Sequence, residues 1–143
     1  MRKVWILYLF IFLQLVACSD NKDELVGIWS PMEWTTDNKL VVADNKYVVS
    51  YVGDTISFVC KNYGSFWFSN AEIVDSVIEP NMDSNDLTKL DGNWFSASIV
   101  ENEMQVVFDK NSDITDRTVS IIVTAGDIFD YFDFIQKGKD AKE

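Results

Sequence analysis

The chain has 143 residues, with 12 Lys and Arg against 23 Asp and Glu, no His and two Cys. The absence of His excludes a His-based triad, a His general base and most zinc sites, while the acidic balance disfavours binding to nucleic acid or anionic membranes. The length predicts one domain with a real hydrophobic core.

Residues 1–17 have the layout of a secretory signal peptide. Two basic residues, Arg2 and Lys3, precede an apolar stretch that starts at Val4, and a small residue, Ala17, ends the segment. The fourteen residues from Val4 to Ala17 are too few for a transmembrane helix, which needs about 20. The sequence therefore predicts cleavage after residue 17. Removal of this segment leaves 10 basic and 23 acidic side chains, a net charge of −13.

The end of this leader, Leu15-Val16-Ala17-Cys18, resembles a bacterial lipobox. At such a site a dedicated peptidase cuts before a Cys whose thiol already bears diacylglycerol. The alternative is an ordinary signal peptide in which Cys18 falls by chance. We expect lipid attachment at Cys18, which would anchor the protein to a membrane without spanning it.

A short polar and mainly acidic stretch, Ser19 to Glu24, follows the lipobox. It resembles the export signal that follows the lipidated Cys in surface-exposed lipoproteins of the Bacteroidetes. Residues 18–26 are therefore predicted to be a lipidated Cys and a disordered tether, on a protein displayed outside the outer membrane. A plain solvated linker is the alternative, and the location is extracytoplasmic in either case.

The strands of the predicted domain are short and separated by turn residues. Gly53-Asp54 is predicted to form a tight hairpin turn, because Gly supplies the positive φ that such a turn requires. Glu101 to Glu103 and Gly126-Asp127 are predicted to form two further hairpin turns. The predicted strands, in chain order, are Lys46 to Val52, Thr55 to Lys61, Ser65 to Ser69, Trp94 to Val100, Met104 to Asp109, Arg117 to Thr124 and Ile128 to Gln136.

Strands of this length and spacing indicate an all-β domain, an antiparallel β-sandwich of about seven strands. The domain is predicted over residues 27–138, and residues 139–143 form a C-terminal tail. Phe132 and Phe134 are expected to point inward and Asp133 outward, because successive side chains of a strand alternate between its faces.

Cys60 ends a segment in which Ile56, Phe58 and Cys60 share one side of a period-two pattern. Acylation of Cys18 leaves no second thiol for an internal disulfide. The chain also offers no His to convert the Cys60 thiol into a nucleophilic thiolate. We therefore predict a buried, structural Cys60.

Two parts of the chain share a pattern with a known family. From Asn111 to Gly138 the sequence has an Asn, a turn, an Arg that opens an alternating strand, a Gly hairpin and a closing strand that ends in Gln and Gly. From Gly53 to Trp67 it has a Gly turn, an alternating strand, an Asn and a Trp, and Trp94 matches a second Trp. These features resemble the BACON domain (Bacteroidetes-associated carbohydrate-binding, often N-terminal).

The resemblance covers roughly Lys46 to Gly138, and its C-terminal part is the more specific. It implies an immunoglobulin-like sandwich, a cell-surface setting and non-catalytic binding of glycan or mucin. The stretch Ser69 to Asn93 is longer than the family's link between its two Trp-bearing strands.

Arg117 opens a predicted strand at the place where the family also has Arg. We expect a structural role, in which its guanidinium bonds carbonyls or acids of the Asn111 to Asp116 loop and fixes the entry of that loop into the sheet.

Sugar binding by a sandwich depends on exposed aromatic rings, with amide or carboxylate groups that bond the hydroxyls. The candidate ligand-binding residues are Tyr63, Trp67 and Trp94, with Trp29, Trp34 and Tyr131 behind them. Phe66 and Phe68 are expected to point opposite to Trp67. The alternative for Trp67 is a core position, because immunoglobulin-like sandwiches commonly bury a central Trp.

The segment Pro80 to Asn93 is rich in oxygen-bearing side chains of the kind that bind calcium. Its spacing does not fit an EF-hand loop, since Gly92 stands beyond the acids and no Glu follows at the required distance. A solvated polar loop is the better interpretation, so no metal and no cofactor is predicted. Paired carboxylates could also indicate a glycosidase, but with so many acids the signal is not specific, and no enzymatic activity is predicted.

These observations predict a lipid-anchored surface protein that binds glycan or mucin without catalysis. The first alternative is a protein-interaction or structural subunit of a surface complex. The second is a lipocalin-like carrier of a small ligand, suggested by the Gly27-Ile28-Trp29 motif, although residues 27–138 are few for an eight-stranded calyx.

The lipid anchor is tested by the substitution Cys18→Ser, which removes the thiol that would be acylated. We expect the variant to leave the membrane fraction, and we expect protease added to intact cells to digest the wild-type domain. A variant that stays membrane-bound contradicts lipidation, and a wild-type domain protected in intact cells contradicts surface display.

Overall fold

The computed structural model describes residues 29–36, 41–43, 46–80 and 85–139. Within these ranges the chain forms eleven β-strands. In chain order they are β1 (Trp34–Thr35), β2 (Val41–Ala43), β3 (Lys46–Val49), β4 (Asp54–Cys60), β5 (Trp67–Ile73), β6 (Ser76–Ile78), β7 (Lys89–Asp91), β8 (Phe95–Val100), β9 (Glu103–Phe108), β10 (Arg117–Ala125) and β11 (Ile128–Gln136).

The strands form two sheets packed as a sandwich, which confirms the predicted fold class. The first sheet has the order β1-β4-β9-β8-β7, and the second has the order β2-β3-β11-β10-β5-β6. Neighbouring strands are antiparallel except β3 and β11, which are parallel. All seven predicted strands are present, and the four additional strands, β1, β2, β6 and β7, are short and lie at the sheet edges. The architecture is compatible with an immunoglobulin-like sandwich.

Two of the three predicted hairpins are confirmed. β8 and β9 are joined through Glu101, which takes a φ of 55°, and Asn102. β10 and β11 are joined through Gly126, with a φ of 70°, and Asp127. Both turns place a residue with positive φ between two paired strands, as two-residue hairpins require.

The third predicted hairpin, at Gly53-Asp54, is wrong. Gly53 has the expected positive φ, 89°, but β3 pairs in the second sheet and β4 pairs in the first. The turn therefore passes the chain from one sheet to the other. A Cβ at Gly53 would clash with the carbonyl oxygen of Phe108, so Gly is required here by close backbone approach as well as by its φ.

Aromatic rings from both sheets fill the space between them. The Phe58 ring of the first sheet lies 4.7 Å from that of Phe132 in the second, and Phe108 lies 5.1 Å from Phe134. Phe132 and Phe134 are buried as predicted. Cys60 is also fully buried, as expected from its place in the alternating pattern. Rings that interdigitate in this way bury a large apolar area, and their tilted contacts add to the stability of the core.

At one end of the sandwich the two sheets are joined by Trp34 and Asp130. The indole Nε1 of Trp34 donates to Oδ2 of Asp130 at 2.6 Å, and the Trp34 ring lies edge-on to Phe66 and Phe132. Burial raises the pKa of the nearby Tyr47 hydroxyl, and the charge of Asp130 adds to the rise. Tyr47 therefore stays neutral at physiological pH.

At the opposite end a buried polar network supports the chain where it passes between sheets. The side-chain amide of Gln136, fully buried, donates through Nε2 to the carbonyls of Ser50 and Asp109 at 3.1 and 2.7 Å. Arg117 donates through Nε to Oε1 of Gln136 at 2.8 Å and through Nη2 to the Asp109 carbonyl at 3.0 Å. The guanidinium also lies 4.3 Å from the centre of the Trp94 ring.

Arg117 thus has a structural position, but its partners differ from those predicted. It bonds Gln136 and the carbonyl of Asp109, which lies just before the Asn111 to Asp116 loop. The loop itself is held by Asn111, whose buried Nδ2 donates to the carbonyls of Thr115 and Lys137. The sequence pattern could not separate these roles, because the pairing of residues 109, 117 and 136 is visible only in the folded sheets.

The predicted signal peptide, residues 1–17, and the tether, residues 18–26, lie outside the described residues. Within the part that the structure describes, no helix is long and apolar enough to cross a membrane. The stretch Ser69 to Asn93 extends β5 to Ile73, turns at Asp75 into β6, and ends with β7 in the first sheet.

The Arg117→Ala substitution is expected to lower the free energy of unfolding by about 1–3 kcal/mol, because it removes charged hydrogen bonds and leaves Oε1 of Gln136 without its donor. The matched control is Lys137→Ala, which removes a cation whose 2.8 Å ion pair with Asp116 is solvent-exposed. The control should lower the free energy of unfolding by less than about 1 kcal/mol. Thermal and denaturant unfolding measure both values, and an Arg117→Ala melt equal to that of the wild type would contradict the network's role.

Candidate functional site

The three rings predicted as ligand-binding candidates do not come together. Trp94 lies at the end of the first sheet where β4 begins. It directly precedes Phe95, and both Phe95 and the first residue of β4, Asp54, pair with Phe108. Tyr63 instead follows the other end of that strand. Since β4 is seven residues long and a strand rises about 3.3 Å per residue, the two ends lie roughly 20 Å apart. A shared platform of Tyr63 and Trp94 is therefore not formed.

The Trp94 ring is partly buried and packs against the core at one end of the first sheet. It lies edge-on to Phe95 at 5.1 Å and 6.1 Å from Phe108, and Arg117 covers it at 4.3 Å. With its neighbours placed in this way, the ring helps to shield the Arg117 network from water. This geometry indicates a structural Trp94.

Tyr63 holds the segment that precedes β1. Its hydroxyl donates to the carbonyl of Ser30 at 2.6 Å, and the ring packs against the core cluster. The adjacent Asn62 donates to the carbonyl of Pro31 and accepts from the backbone N–H of Glu33. Tyr63 and Asn62 together fasten this segment to the end of β4.

Trp67 lies on the outer face of the second sheet. Its side chain is 36% exposed, whereas Phe66 and Phe68 on either side are buried, so the predicted opposition of these rings is confirmed. The strand bulges at Ser69, where the register with β10 shifts between Ile122 and Val123. The bulge allows both Trp67 and Asn70 to lie opposite outward positions of β10.

Three neighbouring strands, β5, β10 and β11, present a regular grid on this outer face. The register of their pairing aligns three rows of side chains across the strands. We call this surface the aromatic face, and its rows are Trp67, Thr124 and Phe129; Asn70, Ile122 and Tyr131; and Glu72, Ser120 and Asp133.

The rows of the aromatic face differ in chemistry. Phe129 is 52% exposed and Tyr131 is 60% exposed, so with Trp67 they place three large rings against solvent. The third row is polar, with the carboxylates of Glu72 and Asp133 on either side of Ser120. From the first row to the third is four residues along β10, about 13 Å.

A shallow depression of about 170 Å³ lies at the polar end of the aromatic face. It is lined by Glu72, Ser120 and Asp133, together with Thr118 of β10 and Lys46 of β3. At its aromatic side, Oδ1 of Asn70 is buried and has no hydrogen-bond partner. The face therefore combines rings, hydroxyls, carboxylates and one amide within three adjacent strands.

Sequence reasoning named Tyr131 only as a secondary candidate and did not name Phe129. A signal was present, because β11 has aromatic residues on both sides of its alternation: Phe132 and Phe134 point inward, while Phe129 and Tyr131 point outward. What the sequence could not show is that Trp67 of β5 lies on the same face, since this depends on the pairing of both strands with β10.

The acidic residues do not assemble into a metal centre in the described part of the chain, where no three His, Cys, Asp or Glu side chains form a metal-binding group. Asp86, in the segment predicted as a polar loop, accepts from the hydroxyl and the N–H of Thr88 and pairs with Lys89 at 3.2 Å. These bonds lower the pKa of Asp86, with the Thr88 side-chain bond the largest cause.

Comparison with known proteins gives one structural relative. The NMR structure of a protein from Bacteroides thetaiotaomicron superimposes with a TM-score of 0.68 at 29% sequence identity, covering 85% of this chain and 96% of that chain. No family model matches the sequence. No curated protein matches it either. This structural relative supports the sandwich fold over most of the chain.

The two kinds of ring can be told apart by unfolding experiments. Trp94→Ala is expected to lower the free energy of unfolding by about 2–4 kcal/mol, because it removes a packed ring and uncovers Arg117. Tyr131→Ala, which removes an exposed ring, should change it by less than about 1 kcal/mol. Denaturant unfolding followed by Trp fluorescence and circular dichroism measures both. Equal losses in the two variants would show that the assignment of core and surface rings is incorrect.

Proposed function

We propose that this protein is a non-catalytic, lipid-anchored binding module of the cell surface that binds glycan through its aromatic face. The observation on which the proposal rests is the alignment of three exposed rings, Trp67, Phe129 and Tyr131, with hydroxyl and carboxylate side chains on three paired strands. Groups of exposed apolar side chains on a protein surface are typical of binding sites.

The rings fit the apolar side of a sugar. The C–H bonds of a pyranose ring lie on its faces, and the negative π-face of Trp or Tyr meets them favourably. Trp67 and Phe129 lie on β5 and β11, either side of β10, with Thr124 between them. Thr124 is buried and its hydroxyl donates to the Gly126 carbonyl, so Trp67 and Phe129 are the side chains of this row that offer apolar surface to a sugar ring.

The polar row fits the hydroxyl groups of the same ligand. Carboxylates accept hydrogen bonds from hydroxyls, and a Ser hydroxyl both donates and accepts. Glu72, Ser120 and Asp133 lie in one row beside the rings, where they can orient a ligand held by stacking. Binding sites of this type join mainly apolar contact with a few placed polar groups.

The predicted location of the protein supports the same function. The lipobox at Cys18 and the acidic tether predict display on the outer membrane, where polysaccharides are encountered. The resemblance to the BACON domain over roughly Lys46 to Gly138 points to glycan or mucin binding as well. Trp67 belongs both to that resemblance and to the aromatic face, whereas the exposed rings of Phe129 and Tyr131 add support that the resemblance did not use.

A protein-interaction role is the second candidate, and one observation favours it. The β5–β6 hairpin forms an edge of the second sheet and exposes two apolar residues, Val74 and Val77. An exposed edge with apolar side chains can pair with a strand of another protein. Glycan is preferred because the polar row of the aromatic face suits hydroxyl groups better than an apolar protein surface.

The small-ligand carrier receives less support. The space between the sheets is filled by side chains such as Phe58, Phe132 and Phe134 in the described part of the chain. The strands also form two separate sheets rather than one closed calyx. A carrier would require an internal cavity at this position.

The proposal is tested by affinity electrophoresis through gels that contain neutral plant polysaccharides, host glycans or mucin. Trp67→Ala and Tyr131→Ala should each reduce retention by about tenfold or more, as loss of a central aromatic contact does. Trp29→Ala is the matched control, because it removes an exposed Trp that does not belong to β5, β10 or β11. Thermal melts of all variants should stay close to that of the wild type.

Loss of retention with an unshifted melt in the face variants, and normal retention in the Trp29→Ala control, supports glycan binding by this face. If the wild type is retained by no glycan, the proposal is rejected and the interaction module becomes the better account. If all three variants lose retention equally, the aromatic face is not the site.

A further inference from the structure

The distribution of charge on the aromatic face indicates which class of glycan it accepts. We propose that the face binds an extended neutral glycan that runs along β10, and that it discriminates against glycans bearing carboxylate or sulfate groups. This inference rests on the proposed glycan-binding function and specifies its ligand.

The polar row is dominated by negative charge. Ser120 pairs with Glu72 on one side and with Asp133 on the other, so the two carboxylates flank it in one row. With strands about 4.8 Å apart, their Cα atoms are separated by roughly 10 Å. Lys46 lies beside Asp133 at the far side of the depression, next to Tyr47, which pairs with Phe134. The row therefore has two negative charges and one positive charge at its edge.

These carboxylates act differently toward neutral and anionic sugars. A neutral sugar offers hydroxyl donors, which the ionised carboxylates of Glu72 and Asp133 accept in charge-assisted hydrogen bonds. A carboxylate or sulfate on the ligand offers acceptors in the same place and is repelled. The net charge of −13 predicted for the chain without residues 1–17 strengthens this repulsion at longer range.

The dimensions of the face determine the length of the ligand. The row of Trp67 and Phe129 and the row of Glu72 and Asp133 lie four residues apart along β10, about 13 Å, and Tyr131 lies in the row between them. One sugar residue, whose ring is built from bonds of about 1.5 Å, is shorter than this separation, so a residue that contacts Tyr131 and Asp133 cannot also stack on Trp67 or Phe129. A chain of several residues along β10 can stack on Trp67 or Phe129 and bond Glu72 or Asp133 at the same time.

The test compares a neutral polysaccharide that retains the protein with the carboxymethylated derivative of the same polymer. At low salt the carboxymethylated polymer should bind at least about tenfold more weakly. The difference should shrink in 1 M NaCl, where the Debye length falls to about 3 Å. The monosaccharide of that polymer, added as a competitor, should displace it far less effectively than an oligosaccharide does.

The double variant Glu72→Gln with Asp133→Asn should bind the two polymers with more similar affinities. The ratio of its affinity for the neutral polymer to its affinity for the carboxymethylated polymer should be at least about threefold smaller than that of the wild type. Its matched control is Glu103→Gln with Asp91→Asn, which removes the same charge from exposed positions of the first sheet. The control should leave this ratio of affinities nearly unchanged, because these acids are distant from the aromatic face.

Each outcome decides between the two proposals. If both polymers bind equally, or the anionic one binds more tightly, this inference is overturned while glycan binding stands. If the two double variants narrow the difference equally, selectivity arises from the overall charge, and the assignment to Glu72 and Asp133 is wrong. If no polysaccharide binds at all, the proposed function fails and the inference fails with it.

Discussion

The structure depends on the side-chain amide of Gln136, buried where the chain passes between the two sheets. Two backbone carbonyls, those of Ser50 and Asp109, accept hydrogen bonds from this amide. The Ser50 carbonyl also accepts the N–H of Gly53, and the Asp109 carbonyl also accepts Nη2 of Arg117. Because a carbonyl left without a donor costs about as much as a lost hydrogen bond, these donors together stabilise the crossing. Gln136 acts from the last residue of β11, and Arg117, the first residue of β10, donates to its Oε1.

This arrangement separates the structural end of the sandwich from the outer face on which glycan binding is proposed. Arg117 contacts both Gln136 and the Trp94 ring at the crossing between sheets, so Trp94 is packed there and does not lie with the exposed rings of the aromatic face. β10 and β11 start and end in this network, and their inner faces pack into the core. Their outer faces are therefore held by a rigid scaffold, which is the condition that allows a grid of surface side chains to keep its spacing.

Local patterns predicted the long strands, whereas features set by distant pairing could not be predicted. The alternation in β9 to β11 and the turns at Glu101 and Gly126 involve neighbours in sequence, so they were correct. At Gly53 the predicted positive φ is correct, but the predicted hairpin is wrong. A hairpin turn and a crossing between sheets can both require a Gly with positive φ, so the residue alone does not distinguish them. The short edge strands have too few residues to show a period. The aromatic face was missed for a related reason: Trp67 and Tyr131 are 64 positions apart in the chain and meet only through β10.

The parallel pairing of β3 with β11 has a consequence for how the chain folds. Tyr47 and Phe134 are 87 positions apart, so this contact closes a long loop and is expected to form slowly. During synthesis, β3 emerges long before its partner does. Until β11 arrives, the Tyr47 ring and the backbone of β3 lack the neighbour that covers them, and the exposed strand is prone to wrong association. Folding of the second sheet is thus completed only when the last strand of the chain has been delivered.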